Sequence, residues 1–213
     1  MSSLAISDAV LAFSSIFAVF LMAQRKTFAE IHRLSANCAM LGFLLMATAS
    51  VVGSIRYGIS DSWSGPHSML INVAMFLSPP LVGIAISLAL TTRSWSGAAW
   101  GRVILGVCIV YEISRWNGLE LIYRDLQLSL LVATVFYLTM KSSLAPGPRW
   151  LIILSLCSYF IGALVIGTQG TLAGYLRLDL FRYLIGLGNL LLSSGMYLTM
   201  KNSYPQIAES DDA

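Results

Sequence analysis

Charge is what this sequence has least of. Asp, Glu, Lys and Arg make up 11% of 213 residues, against 57% hydrophobic ones. Soluble domains run near 25% charged, so a water-soluble enzyme and an intrinsically disordered chain are both excluded. The net charge of +3 is small and scattered, which rules out a phosphate-tracking surface and nucleic acid as a partner. Cysteine is rare too. Cys38, Cys108 and Cys157 fall singly inside apolar runs. An odd, dispersed set is no disulfide framework, and packing is the role expected of them. The chain has only two histidines, His32 and His67, and lacks a Gly-rich phosphate loop, a nucleophile elbow and any Cys/His metal spacing. No cofactor is expected.

Apolar sequence is what the chain has in abundance, with a mean hydropathy of +0.76. Runs long enough to cross a bilayer occupy 4–23, 34–55, 69–90, 98–116, 119–140, 150–168 and 178–200. The fourth is the weakest, interrupted by Arg102 and Glu112. Seven spans of about 22 residues use about 154 positions, which leaves no room for a soluble domain. The expected fold is all-α: a polytopic integral membrane protein of seven transmembrane helices over 1–203. An acidic tail, 204–213, carries Glu209, Asp211 and Asp212 and is expected to be disordered.

Orientation follows from the cations. Arg25, Lys26, Arg33, Arg93, Arg102, Lys141, Arg149 and Lys201 fall on one side with Glu30. Arg56, Arg115, Arg124, Arg177 and Arg182 fall on the other, among Asp8, Asp61, Glu112, Glu120, Asp125 and Asp179. The Lys/Arg-rich side is the cytoplasmic one, so the N-terminus is outside and the C-terminus inside. No basic region precedes the first run, so it reads as an uncleaved anchor. The expected location is a bacterial-type cytoplasmic (inner) membrane, where the partners are lipids and other integral membrane subunits. His32, beside Arg33, is expected to be a solvated loop residue.

Three exits on the basic side echo one another: Leu90-Thr91-Thr92-Arg93, Leu138-Thr139-Met140-Lys141 and Leu198-Thr199-Met200-Lys201, the last two preceded by Tyr137 and Tyr197. An aromatic belt and a snorkelling cation explain this, and internal duplication is the alternative. Ser35, Ala39, Gly42, Ala49 and Gly53 form a small-residue stripe for close helix packing. Pro79-Pro80 predicts a kink in the third span. Asn37, Asn72 and Asn189 are expected to bond between helices.

The candidate site is the polar cluster at the outer ends of the spans. Its residues are Asp8, Arg56, His67, Glu112, Arg115, Arg124, Asp125, Asp179 and Arg182. Charges below the headgroups are costly unless paired or functional. Glu112/Arg115, Glu120/Arg124 and Asp179/Arg182 stand one helical turn apart, as local ion pairs would. The other reading is a wet vestibule that binds a polar ligand, ringed by Trp63, Trp116, Tyr57, Tyr123 and Tyr183. A calcium site is disfavoured by the interleaved arginines. A retinal Schiff base is disfavoured because Lys201 sits at a helix exit. The two histidines are on opposite sides, which disfavours haem.

The run Val52-Gly53-Ser54-Ile55-Arg56-Tyr57-Gly58 resembles the Gly-Ser-x-x-aromatic-His motif of the alkaline ceramidase-like superfamily. That superfamily of seven-helix membrane proteins includes the progestin and adipoQ receptors. The resemblance implies a zinc-hydrolase site built from serine, aspartate and three histidines. Here Gly58 replaces the motif histidine and the seventh span has none, so kinship implies a member without the family's metal chemistry. The leading expectation is a non-enzymatic membrane protein, a sensor or accessory subunit, that binds a polar ligand or membrane partner through the outer cluster. The alternatives are a ceramidase-like lipid or amide hydrolase and a proton- or ion-coupled carrier relaying through Glu112, Asp125 and Asp179.

Overall fold

The structure is a computed structural model that describes residues 3–211, with side chains described as far as Asn202 except that of Leu121. Seven α-helices follow one another: α1 Ser3–Met22, α2 Glu30–Gly58, α3 Ser64–Leu90, α4 Gly97–Trp116, α5 Glu120–Lys141, α6 Pro146–Phe160 and α7 Arg177–Asp211. Each apolar run is a helix, displaced by a few residues at most at its start. A π-helical turn, Ile161–Ile166, prolongs α6. Among the described residues, five segments are long and apolar enough to cross a membrane: α1, α2, Asp61–Leu90, α4 and Pro146–Ile166. The charges Glu120, Arg124 and Asp125 dilute the start of α5, as Arg177, Asp179 and Arg182 dilute that of α7. The expected tail, 204–213, is continuous with α7 as far as Asp211, and residues 212 and 213 lie outside the described residues.

One small β-element breaks the helical pattern. Thr171–Leu172 (β1) and Tyr175–Leu176 (β2) pair antiparallel just before α7. Ala173 and Gly174 have φ of 51° and 84°. Two positive φ values in a two-residue turn match the right-handed twist of the strands.

Helices α1, α2, α3, α6 and α7 form the packed body. The small-residue stripe of α2 is buried throughout. At Gly42 a Cβ would stand 2.8 Å from Val82 Cγ2 and 3.2 Å from the Ser78 carbonyl, so α2 and α3 meet backbone to backbone. Asn189 of α7 joins four helices. Its Nδ2 donates to Ser15 Oγ of α1 (3.0 Å) and Met46 Sδ of α2 (3.2 Å), and its Oδ1 accepts from Tyr159 of α6 (2.8 Å). Asn37 and Asn72 do not repeat this: Asn37 Oδ1 is buried without a recorded partner, and Asn72 is exposed in a cavity.

Two expectations are corrected by burial. His32 is fully buried, not solvated. Helix α2 begins before the apolar run, and His32 joins Ser35, Ala36 and Ala39 on its buried face. Cys38 is buried, but Cys108 and Cys157 face outward from the bundle instead of packing inside it.

The exit echo is structural. Thr91, Thr139 and Thr199 each donate to the carbonyl four residues back, at 2.9, 2.7 and 2.8 Å. The Lys141 and Lys201 ammonium groups both lie 5.8 Å from the ring centroids of Tyr137 and Tyr197. These exits share the rim opposite Asp61.

Helices α4 and α5 are held more loosely. Trp100 is the one buried side chain of α4 among the described residues. The prolines of α3 explain how α5 docks. Pro80 has no N–H for the Phe76 carbonyl, and that carbonyl accepts from Gln127 Nε2 of α5 at 3.1 Å. Gln127→Leu should therefore destabilise the bundle by about 1 kcal/mol in a detergent thermal-unfolding measurement. Pro80→Ala in that background should recover part of the loss, because the new N–H can serve Phe76. An additive double variant would contradict this role.

Candidate functional site

The candidate residues divide between two places on one rim, where α1, α3, α5 and α7 begin and α2, α4 and α6 end. The first is a buried ionic clasp between α1 and α7. Arg182 is 4% exposed, Asp8 2% and Asp179 5%. Arg182 Nε donates to Asp8 Oδ1 at 3.0 Å. Its Nη1 reaches the Leu4 carbonyl and Ser7 Oγ, both at 3.3 Å. Ser7 in turn donates to Asp179 Oδ1 at 2.6 Å. Asp8 Oδ2 is buried with no hydrogen-bond partner among the described residues.

This pairing corrects the local one. Asp179 and Arg182 stand one turn apart on α7, yet the ion pair of Arg182 is with Asp8 of α1. Both carboxylates are desolvated, so one guanidinium is shared between them, one directly and one through Ser7. Buried charges survive only when each finds such partners.

His67 of α3 and Gly53 of α2 close the clasp. His67 is 3% exposed, with Nδ1 3.3 Å from the Ala49 carbonyl. A carbonyl only accepts, so Nδ1 is the donor in this contact. A Cβ on Gly53 would collide with Asp8 Oδ2 and lie 2.7 Å from His67 Cε1. Tyr57 meets the His67 ring edge-on at 5.7 Å and takes Arg182 over its face at 5.3 Å and Arg56 at 5.0 Å. Arg56 itself is at the surface, paired with Asp61 at 3.0 Å. Beside the clasp, Ala5, Ile6, Ala9, Val10, Phe13 and Ser54 line a shallow groove of about 310 Å³. Its walls are apolar, and Ser54 spends its hydroxyl on the Ala5 carbonyl at 3.0 Å.

The second place is an open cavity of about 330 Å³ between α3, α4 and α5. Asn72, Met75, Phe76, Tyr111, Arg115, Glu120 and Arg124 line it. It lies beside the turn whose carbonyls Pro79 and Pro80 release. The Tyr111 and Phe76 rings lie 3.5 Å apart between centroids at 34°, and Tyr123 is nearly parallel to Phe76 at 6.1 Å. Arg115 is gripped by Glu112 through Nε (3.0 Å) and Nη2 (2.5 Å), the local pair that the i,i+3 spacing predicts. Arg124 pairs with its neighbour Asp125 at 2.9 Å, not with Glu120 one turn back. Glu120 is thereby left to the cavity.

Of the nine candidates, Asp8, His67, Asp179 and Arg182 enter the clasp and Arg56 borders it. Arg115 and Arg124 line the cavity, with Glu112 and Asp125 behind them. The candidate set omitted Ser7, Gly53, Asn72, Tyr111 and Glu120. Ser7 and Glu120 carried a signal, as neighbours of charged candidates in sequence or helical register. Gly53 and Asn72 were legible only as a packing residue and an interhelical hydrogen-bonding residue, and Tyr111 carried no signal. No group of three His, Cys, Asp or Glu side chains that could hold a metal occurs among the described residues. Comparison of the chain with protein-family models, curated proteins and solved structures finds no match.

Proposed function

We propose that this chain is a seven-span membrane protein, N-terminus outside, that binds a polar ligand in the cavity between α3, α4 and α5. The Lys/Arg asymmetry supports the orientation, and the location proposed with it is a bacterial-type cytoplasmic membrane. The carrying observation is that two guanidiniums, a carboxylate, an amide and a phenol converge on one open cavity of about 330 Å³. Ligand pockets start near 300 Å³ and use few polar groups over an apolar floor. The clasp holds α1 and α7 in place, and the loosely packed α4 and α5 form the responsive part, as suits a sensor or accessory subunit.

The test is extraction of small molecules from protein purified out of its native membrane. Wild type should retain a ligand that Arg115→Gln/Arg124→Gln loses by tenfold or more, on the scale of about 1.5–3 kcal/mol per charged hydrogen bond. Identical extracts, with both proteins monodisperse, would sink the reading.

A carrier reading has one observation in its favour: Asp8 Oδ2 is buried with no hydrogen-bond partner among the described residues, and intramembrane carboxylates often mark proton paths. Its relay would run through Asp8 and Asp179, since Glu112 and Asp125 stand at the surface. Asp8→Asn would then abolish uptake while insertion persists. Kinship with the ceramidase-like proteins also stays within this proposal, as a member lacking the zinc histidines. Stoichiometric zinc in the purified protein would favour the hydrolase instead.

A further inference from the structure

The cavity walls carry both signs of charge, and their arrangement says what they select. Arg115 spends Nε and Nη2 on Glu112, and Arg124 spends the same two atoms on Asp125. Each guanidinium has five N–H donors, so both keep Nη1 unspent after pairing. The backing carboxylates hold the guanidiniums in place and leave a forked donor set for an oxyanion. Glu120 opens α5 on the same wall, and its carboxylate makes no ion pair among the described residues. Phe76 and Tyr111 line the same cavity, their rings 3.5 Å apart between centroids and inclined at 34°. A carboxylate and aromatic side chains lining one cavity can seat an ammonium group, by charge and by attraction to the ring quadrupole. The formal charge of Arg115, Arg124, Glu112, Glu120 and Asp125 together is −1, so a bare anion gains little from the field as a whole.

From this juxtaposition we infer that the cavity binds a zwitterion, an oxyanion on Arg115 and Arg124 joined by a short linker to an ammonium on Glu120 and Tyr111. This rests on the ligand-binding reading above and specifies its substrate class. Phosphoethanolamine chemistry meets the description, either as a lipid headgroup entering from the membrane or as a free solute.

The experiment uses the full chain in mild detergent and native mass spectrometry. The probes are dihexanoyl-phosphatidylethanolamine, dihexanoyl-phosphatidylglycerol, free phosphoethanolamine and inorganic phosphate. Wild type should prefer the ethanolamine lipid over the glycerol lipid by about tenfold, the effect of one charge-assisted contact. Glu120→Gln, a conservative change at an exposed position, should bring that ratio near one, and Arg115→Gln/Arg124→Gln should weaken both lipids. Binding of free phosphoethanolamine as tight as that of the lipid supports the zwitterion and names a soluble source. Tighter binding of the lipid names the membrane. Equal binding of both lipids, or a preference for inorganic phosphate, overturns the zwitterion while arginine dependence keeps the ligand cavity. Absence of any arginine-dependent binding, together with identical extracts in the earlier test, removes both.

Discussion

Arg182→Ala is expected to cost about 3–5 kcal/mol, the range for breaking a buried ion pair by removing one partner. Arg182 is the one cation shared by two buried carboxylates, Asp8 directly and Asp179 through Ser7. Its removal takes the donor from Asp8 and leaves both carboxylates without their countercharge in a low-dielectric interior, while Ser7 still donates to Asp179. The change should appear as a large drop in the thermal midpoint of the detergent-solubilised protein, or as loss of the folded form. Asp8→Asn is expected to be milder, because the amide oxygen still accepts from Arg182 Nε and its NH2 supplies a donor. Asp8→Ala/Arg182→Ala should cost less than the two single changes summed, by the coupling energy of the pair. Full additivity, or an Arg182→Ala protein as stable as wild type, would show that the clasp holds nothing together.

Gly53→Ala is expected to destabilise by about 1–3 kcal/mol, the cost of overpacking a filled interior. The new methyl would meet the Asp8 carboxylate on one side and His67 Cε1, 2.7 Å away, on the other. Neither can yield easily. Asp8 is fixed by Arg182, and His67 by the Ala49 carbonyl. Gly58→Ala is the matched control on the same helix. Its Cβ would make an ordinary 3.4 Å contact with Ala5, and the position is exposed, so a change within about 0.5 kcal/mol is expected. Equal thermal midpoints for the two variants would contradict the packing described around Gly53.

These two substitutions also separate what was legible in the sequence from what was not. Hydropathy and length mark seven helices, and the structure contains them with shifted ends. The small-residue stripe reads as close packing because a residue without a side chain permits it wherever the helix goes. The Leu-Thr-x-basic exits keep their local hydrogen bond and cation–ring contact because both form within one turn of one helix. The pair Glu112 and Arg115 obeys the same logic: at the surface, the neighbour one turn away is the partner within reach.

Buried charges do not follow local spacing. Asp179 and Arg182 have the register of a pair, but α1 packs against α7 and brings Asp8 into reach of the guanidinium. Nothing in the order of residues says that Asp8 and Arg182, 174 positions apart, would meet. Nor does it say that the prolines of α3 would free a carbonyl for Gln127 and leave a cavity beside that turn. The sequence alone determined a chain rich in apolar helices whose charges gather at the ends, since those properties depend on composition and on periods of a few residues. Only the tertiary structure decided which charges are sealed into a clasp and which face an open cavity. Desolvation depends on what packs over a side chain, and that is set by helices distant in the chain.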